Sequence, residues 1–163
     1  MLQVAIANRQ KALPAARALW RRMLRAAAPA AWKKARLSVT VVGNEEILDL
    51  NRRFTGRSGD TDVLAFALGE GDSPDGTVGE IIVCASRAAA EARARSVPPE
   101  EELALYVAHG FLHLLGYDDH SPGDRKRMYA AEETLLKDAG VNYVRNRPRR
   151  RAVGKAGGKK ERR

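Results

Sequence analysis

Between positions 11 and 27 the apolar residues recur at intervals of three and four: Leu13, Ala16, Leu19, Trp20, Met23 and Leu24. That period predicts an amphipathic helix, with Arg21, Arg22 and Arg25 on its polar side. Past Pro29 the pattern changes. Leu37-Ser38-Val39-Thr40-Val41-Val42 is rich in β-branched residues and predicts a strand. Asn44 is placed to cap the next helix, with Glu45 and Glu46 in its first turn, where the helix dipole favours acids. In that helix Ile47, Leu50 and Phe54 are expected to face the core. Residues 55–61 read as a Gly-containing loop and residues 62–68 as a second central strand. A polar turn over 69–77 leads to a third strand over 78–84, which the short connection makes antiparallel to the second.

An alanine-rich helix is expected over about 85–96, followed by a helix that opens on Pro98 and Pro99 with Glu100, Glu101 and Glu102 in its first turn. Leu103, Tyr106, Val107, Phe111, Leu112, Leu114 and Leu115 make this helix apolar nearly all round, so it should be central and buried. Ser121-Pro122-Gly123-Asp124 spells a further helix start, with Ser121 as cap. That helix runs through Met128, Leu135 and Leu136 and stops at Gly140. If Gln3–Ala7 pairs as well, the fold class is α+β: a single small domain with a mixed sheet of about four strands packed with about five helices.

Composition narrows the class. At 163 residues the chain is one domain by prior. No apolar run is long enough to span a bilayer, so no membrane partner is expected. Met1 to Gln10 lacks the charged and apolar regions of a secretory signal. The single cysteine, Cys84, excludes an intrachain disulfide framework, fits a reducing cytoplasm and, within its apolar run, should be a buried strand residue.

Charge is unevenly placed. Residues 145–163 carry ten Lys and Arg against Glu161 alone, which accounts for the whole formal net charge of +9. The expected division is therefore a folded domain over 1–144 and a basic, disordered tail over 145–163 that contacts nucleic acid.

The chemistry-bearing residues are concentrated in one place. His109, His113 and His120 are the only three histidines and fall within twelve residues. His109 and His113, four apart on a helix, share a face and can grip one ion. Gly116 lets the chain leave the helix with positive φ, so that His120 can return as a third ligand. Three nitrogen ligands with a fourth position open are the plan of a catalytic zinc site, here one Zn²⁺ per chain at the end of the central helix.

His109-Gly110-Phe111-Leu112-His113-Leu114-Leu115-Gly116-Tyr117-Asp118-Asp119-His120 resembles the signature of the bacterial YbeY-type endoribonucleases, the rRNA maturation factors, which read His-Gly-x-Leu-His-Leu-x-Gly-Tyr-Asp-His. An acid intervenes here, so the third histidine comes one place later. A second stretch, Leu50-Asn51 through Thr61-Asp62-Val63-Leu64-Ala65-Phe66, is similar to the family's Leu-Asn-x-x-Tyr-Arg…Thr-Asp-Val-Leu-Ser-Phe. A third, Gly79-Glu80-Ile81, resembles its Gly-Asp-Ile strand, with Glu in place of Asp. The metzincin proteases place histidines similarly, but Gly110 stands where their general-base Glu belongs and cannot move a proton.

The resemblance implies a zinc-dependent, single-strand-specific endoribonuclease, with 1–144 as its catalytic domain. It further implies action in the cytoplasm on 16S rRNA 3′ ends and in ribosome quality control, with single-stranded RNA and the ribosome or its proteins as partners. His109, His113 and His120 would act as metal ligands, and Asp118 or Asp119 would orient an imidazole from behind. The family's phosphate-directed arginine falls on Thr55, which cannot neutralise a phosphate; Arg53 and Arg57, two residues either side, are the candidates to replace it. The alternatives are a non-catalytic ribosome-assembly factor with a structural metal, and a metallohydrolase acting on another substrate.

Overall fold

The computed structural model describes residues 1–69 and 74–143. The basic tail expected over 145–163 therefore lies outside the described residues. The order is β1 (Gln3–Asn8), α1 (Arg17–Ala27), a 3-10 turn (Ala30–Trp32), β2 (Arg36–Val42), α2 (Asn44–Thr55), β3 (Val63–Ala67), β4 (Thr77–Cys84), α3 (Ala85–Arg95), α4 (Pro99–Leu114) and α5 (Pro122–Asp138). The sheet order is β1-β2-β4-β3. β1 pairs parallel with β2, and β2 parallel with β4. β3 is antiparallel to β4, as the short connection demands. This is the expected small α+β domain with a mixed four-stranded sheet.

Alternation along each strand divides the side chains between two faces. Leu37, Val39 and Val41 of β2, with Ile81 and Val83 of β4, join the main core beneath α1, α4 and α5. Val42, Leu64, Cys84 and Ile47 form a smaller core beneath α2. Cys84 is buried, as its apolar run suggests. α4 runs through the main core and is buried almost throughout from Glu102 to Leu112. Among the described residues no helix is long and apolar enough to cross a membrane.

Three local expectations need correction. The first helix begins at Arg17 rather than near 11. Pro14 has no N–H to extend a helical ladder behind it, and the preceding residues are instead held by side-chain bonds: Asn8 Nδ2 and Gln10 Nε2 both donate to the Leu13 carbonyl. The cap of α2 is Gly43, and Asn44 is its first helical residue, without a side-chain cap bond. Phe54 does not enter the core but is 65% exposed. The inward position on that turn belongs to Asn51, whose amide donates to the Gly59 carbonyl at 3.0 Å and so ties α2 to the following loop.

The arginines of α1 are more than a solvated face. Arg21 and Arg25 donate to the carbonyls of Val4 and Leu2 at 3.2 and 3.0 Å. They thereby occupy acceptors at the start of β1, an edge strand, and just before it. Arg22 reaches the Ala139 carbonyl at 2.8 Å and fastens α1 to the end of α5.

Candidate metal centre

The floor of the site is α4 pressed onto the sheet at Gly110. A Cβ there would stand 2.7 Å from Ile81 Cγ2 and 3.0 Å from Val63 Cγ2. Glycine thus lets the histidine-bearing turn lie against β3 and β4, and no longer side chain fits beside His109. Gly110→Ala should lift this turn and destabilise the fold by about 1–3 kcal/mol, the usual range for overpacking. The midpoint of urea unfolding measures it, and an unchanged midpoint would show that the contact is not tight.

His109 and His113 lie one turn apart on α4, with ring centroids 4.6 Å apart and planes nearly perpendicular. Their Nε2 atoms face each other across 3.0 Å. The opposite nitrogens each face an oxygen acceptor. His113 Nδ1 is 3.1 Å from the Tyr117 carbonyl oxygen, which can only accept. His109 Nδ1 is 2.6 Å from Glu132, whose side chain is 1% exposed. A neutral imidazole carries one N–H, so with both Nδ1 atoms donating, both Nε2 atoms present lone pairs to each other. In that form a cation held by both Nε2 atoms satisfies both lone pairs; with one Nε2 protonated, the same 3.0 Å contact is a hydrogen bond.

The third group at this point is Asp119. Its Oδ2 lies 3.8 Å from His109 Nε2 and 3.9 Å from His113 Nε2. Ligands at about 2.0–2.1 Å from a tetrahedral zinc stand roughly 3.3 Å apart, so these spacings suit a shared ion after small side-chain adjustments. His109, His113 and Asp119 form one cluster able to hold a metal among the described residues; Asp118, Asp119 and His120 form another. The residues therefore fit a metal, and Asp119 is common to both clusters.

Gly116 has φ +90°, and the Tyr117 N–H returns to the Leu112 carbonyl at 3.0 Å, so the helix ends in the expected reversal. The reversal brings Asp119, not His120, to the histidine pair. His120 Nδ1 rests on Asp118, and its side chain is 85% exposed. Asp118 is held below the ordinary carboxylate range: desolvation works against this, but the Asp119 amide and His120 together outweigh it. For His109, burial pushes the imidazole pKa down, yet the hydrogen bond and charge of Glu132, with Asp62 and Asp119, carry it above its ordinary value.

Glu132 was not anticipated, although its position was legible. Met128, Glu132 and Leu136 are the buried residues of α5, spaced by four. A carboxylate in the middle of an apolar stripe is costly unless paired, and its partner here is His109. Ser121 caps α5 as expected, accepting from the Asp124 N–H at 3.0 Å.

The two candidate arginines differ. Arg53 pairs with Asp49 at 3.2 Å. Among the described residues the Arg57 guanidinium meets no acid, and only the Arg57 backbone N–H is engaged, on Thr55 Oγ1 at 3.2 Å. The Thr55 hydroxyl lies 2.7 Å from both oxygens of Asn51, so it closes the end of α2.

Comparison with known proteins gives the family of the chain and its fold. A family model described as Endoribonuclease YbeY matches residues 5–140. A relative from Halalkalibacterium halodurans, named Endoribonuclease YbeY, is 43% identical over 115 residues, covering 64% of this chain and 72% of its own. One of the same name from Staphylococcus carnosus is 40% identical over 114 residues, covering 66% and 74%. The solution structure of a Thermotoga maritima protein superposes with a TM-score of 0.59 at 29% identity, covering 84% of this chain and 89% of that one.

Proposed function

Because the chain belongs to the YbeY endoribonuclease family, we propose that it is a metal-dependent endoribonuclease that cuts single-stranded RNA, with ribosomal RNA as its substrate. Residues 1–144 are its catalytic domain, and the basic residues of 145–163 add non-specific hold on RNA. Its place of action is the cytoplasm, in 16S rRNA 3′ end maturation and ribosome quality control, in contact with the ribosome or its proteins. The observation that carries the reading is the pair of facing Nε2 atoms, backed by Glu132 and closed by Asp119.

His109, His113 and Asp119 hold the ion in this reading, and zinc suits two imidazoles with one carboxylate. His120 is the other candidate for the third position, because it shares a cluster with Asp119. A bound ion would polarise a phosphate oxygen and lower the pKa of water in contact with it. The protein's own residues do the rest. Glu132 keeps the His109 proton on Nδ1, and the Tyr117 carbonyl does the same for His113. Gly110 offers no general base, so the RNA 2′-hydroxyl or a water must lose its proton without help from that position. Arg57, which meets no acid among the described residues, supplies the charge that neutralises phosphate.

Zinc-reconstituted protein should cleave a single-stranded RNA and leave its duplex intact, and His113→Ala should abolish cleavage. Arg57→Ala should lower kcat/KM by about 10- to 100-fold, the loss of one charge-assisted contact, with metal content unchanged. Arg53→Ala should have little effect, since Asp49 already holds that side chain. If wild-type protein with stoichiometric zinc leaves RNA intact, the binding-only alternative, an assembly factor with a structural metal, takes its place.

A further inference from the structure

The sheet face opposite α4 is only partly covered by α2. Beside α2 lies a groove of about 520 Å³ with an apolar floor of Leu50, Phe66 and Ile82 and a polar side formed by Thr40 and Glu80. At its edge stands Phe54, 65% exposed, its ring 5.4 Å from that of Phe66 and tilted 54° to it. An aromatic ring this exposed, leaning on a second ring over an open groove, is not required by the core.

We propose that this groove is a nucleobase subsite: an unpaired base of the RNA substrate inserts over Phe54 and Phe66 while Arg57 takes an adjoining phosphate. The proposal rests on the endoribonuclease reading and extends it to how the strand is held. Three observations support a base rather than another occupant. Aromatic faces beside a cation are how proteins hold single strands without reading sequence. Arg57, which meets no acid among the described residues, follows Phe54 by three residues, across the Gly56 turn at φ +70°, while the cation lining the groove itself, Arg9, is paired with Glu46. The groove and the metal centre also share one edge strand. In β3, Leu64 and Phe66 face the groove side, while Val63 lies against Gly110, next to His109. A strand that passes over the edge of β3 therefore reaches both. Thr40 and Glu80 offer hydrogen-bond partners to the polar rim of an inserted base, which an aliphatic side chain would leave unmet.

The test uses the full chain. Phe54→Trp places a fluorophore at the groove, against the background of Trp20, which is buried, and Trp32, which packs on Phe111. Titration with a single-stranded RNA octamer should quench the added emission, and the duplex of the same sequence should not. In cleavage assays Phe54→Ala should raise KM by about 5- to 150-fold, the span that base–aromatic stacking carries, with kcat and zinc content near wild type. Phe54→Trp should restore KM. Unquenched emission, equal quenching by duplex, or a wild-type KM in Phe54→Ala would overturn the subsite and leave the groove to a protein partner. Fluorescence also separates the two readings: quenching without cleavage refutes the nuclease and keeps the base site.

Discussion

Asp119→Ala will empty the metal centre, and His120→Ala will leave it loaded. Both nitrogens of the histidine pair face the Asp119 carboxylate, whereas the His120 ring is turned away onto Asp118. Loss of a direct ligand should weaken zinc binding by more than the roughly 10- to 100-fold that outer-shell changes cost. His109→Ala and His113→Ala should behave as Asp119→Ala does. The measurement is zinc per chain after dialysis, supported by competition with a chromophoric chelator. The opposite result, full zinc in Asp119→Ala and none in His120→Ala, would return the third position to histidine and require the 116–120 turn to rearrange on binding.

The second large effect belongs to Glu132. Glu132→Ala should weaken zinc about 10- to 100-fold by leaving the His109 ring free to rotate. It should also leave a buried N–H without an acceptor, at about 1–3 kcal/mol of stability. Glu132→Gln keeps an oxygen in reach of Nδ1 and should recover much of both. The alanine variant is the decisive one: zinc affinity equal to wild type would mean that the ring is held by packing alone. Because the readout is affinity, the result stands whether or not RNA cleavage is followed.

How far the sequence foretold this site depends on the range of the interaction. His109 and His113 could be paired from spacing alone, because helix geometry makes residues four apart neighbours. The reversal at Gly116 was equally local. The direction in which the chain leaves that reversal is not local, since it depends on Arg125 reaching back to the carbonyls of Asp119 and His120 and on where α5 docks. Here Asp119 faces the pair and His120 rests on Asp118. Glu132 needed a tertiary contact across twenty-three residues, and only its place in an apolar stripe hinted at it. Phe54 was misplaced for a related reason. Periodicity identifies the stripe of α2, but the sheet face ahead of it is left partly open, so the last aromatic of the stripe has no core to enter. The positions of the strands, the antiparallel β3–β4 pair and the burial of α4 all followed from patterns that read correctly over short windows, whereas the order β1-β2-β4-β3 rests on long-range pairing.

A buried ion pair at the other end of α4 fixes where the basic tail is rooted. Arg95 of α3 pairs with Glu102, donates to the Tyr143 hydroxyl at 2.9 Å and lies over the Tyr143 ring at 5.0 Å. The chain therefore passes into residues 144–163 from beside Glu102. At 1.5 Å per residue, Glu102 and His113 stand roughly 16 Å apart along the helix axis. That separation is about twice the Debye length of roughly 8 Å at physiological ionic strength. The root of the tail at Tyr143 therefore stands more than a Debye length from the His113 turn. If the ten positive charges of residues 145–163 hold RNA as proposed, removing those residues should weaken RNA binding and leave kcat unchanged.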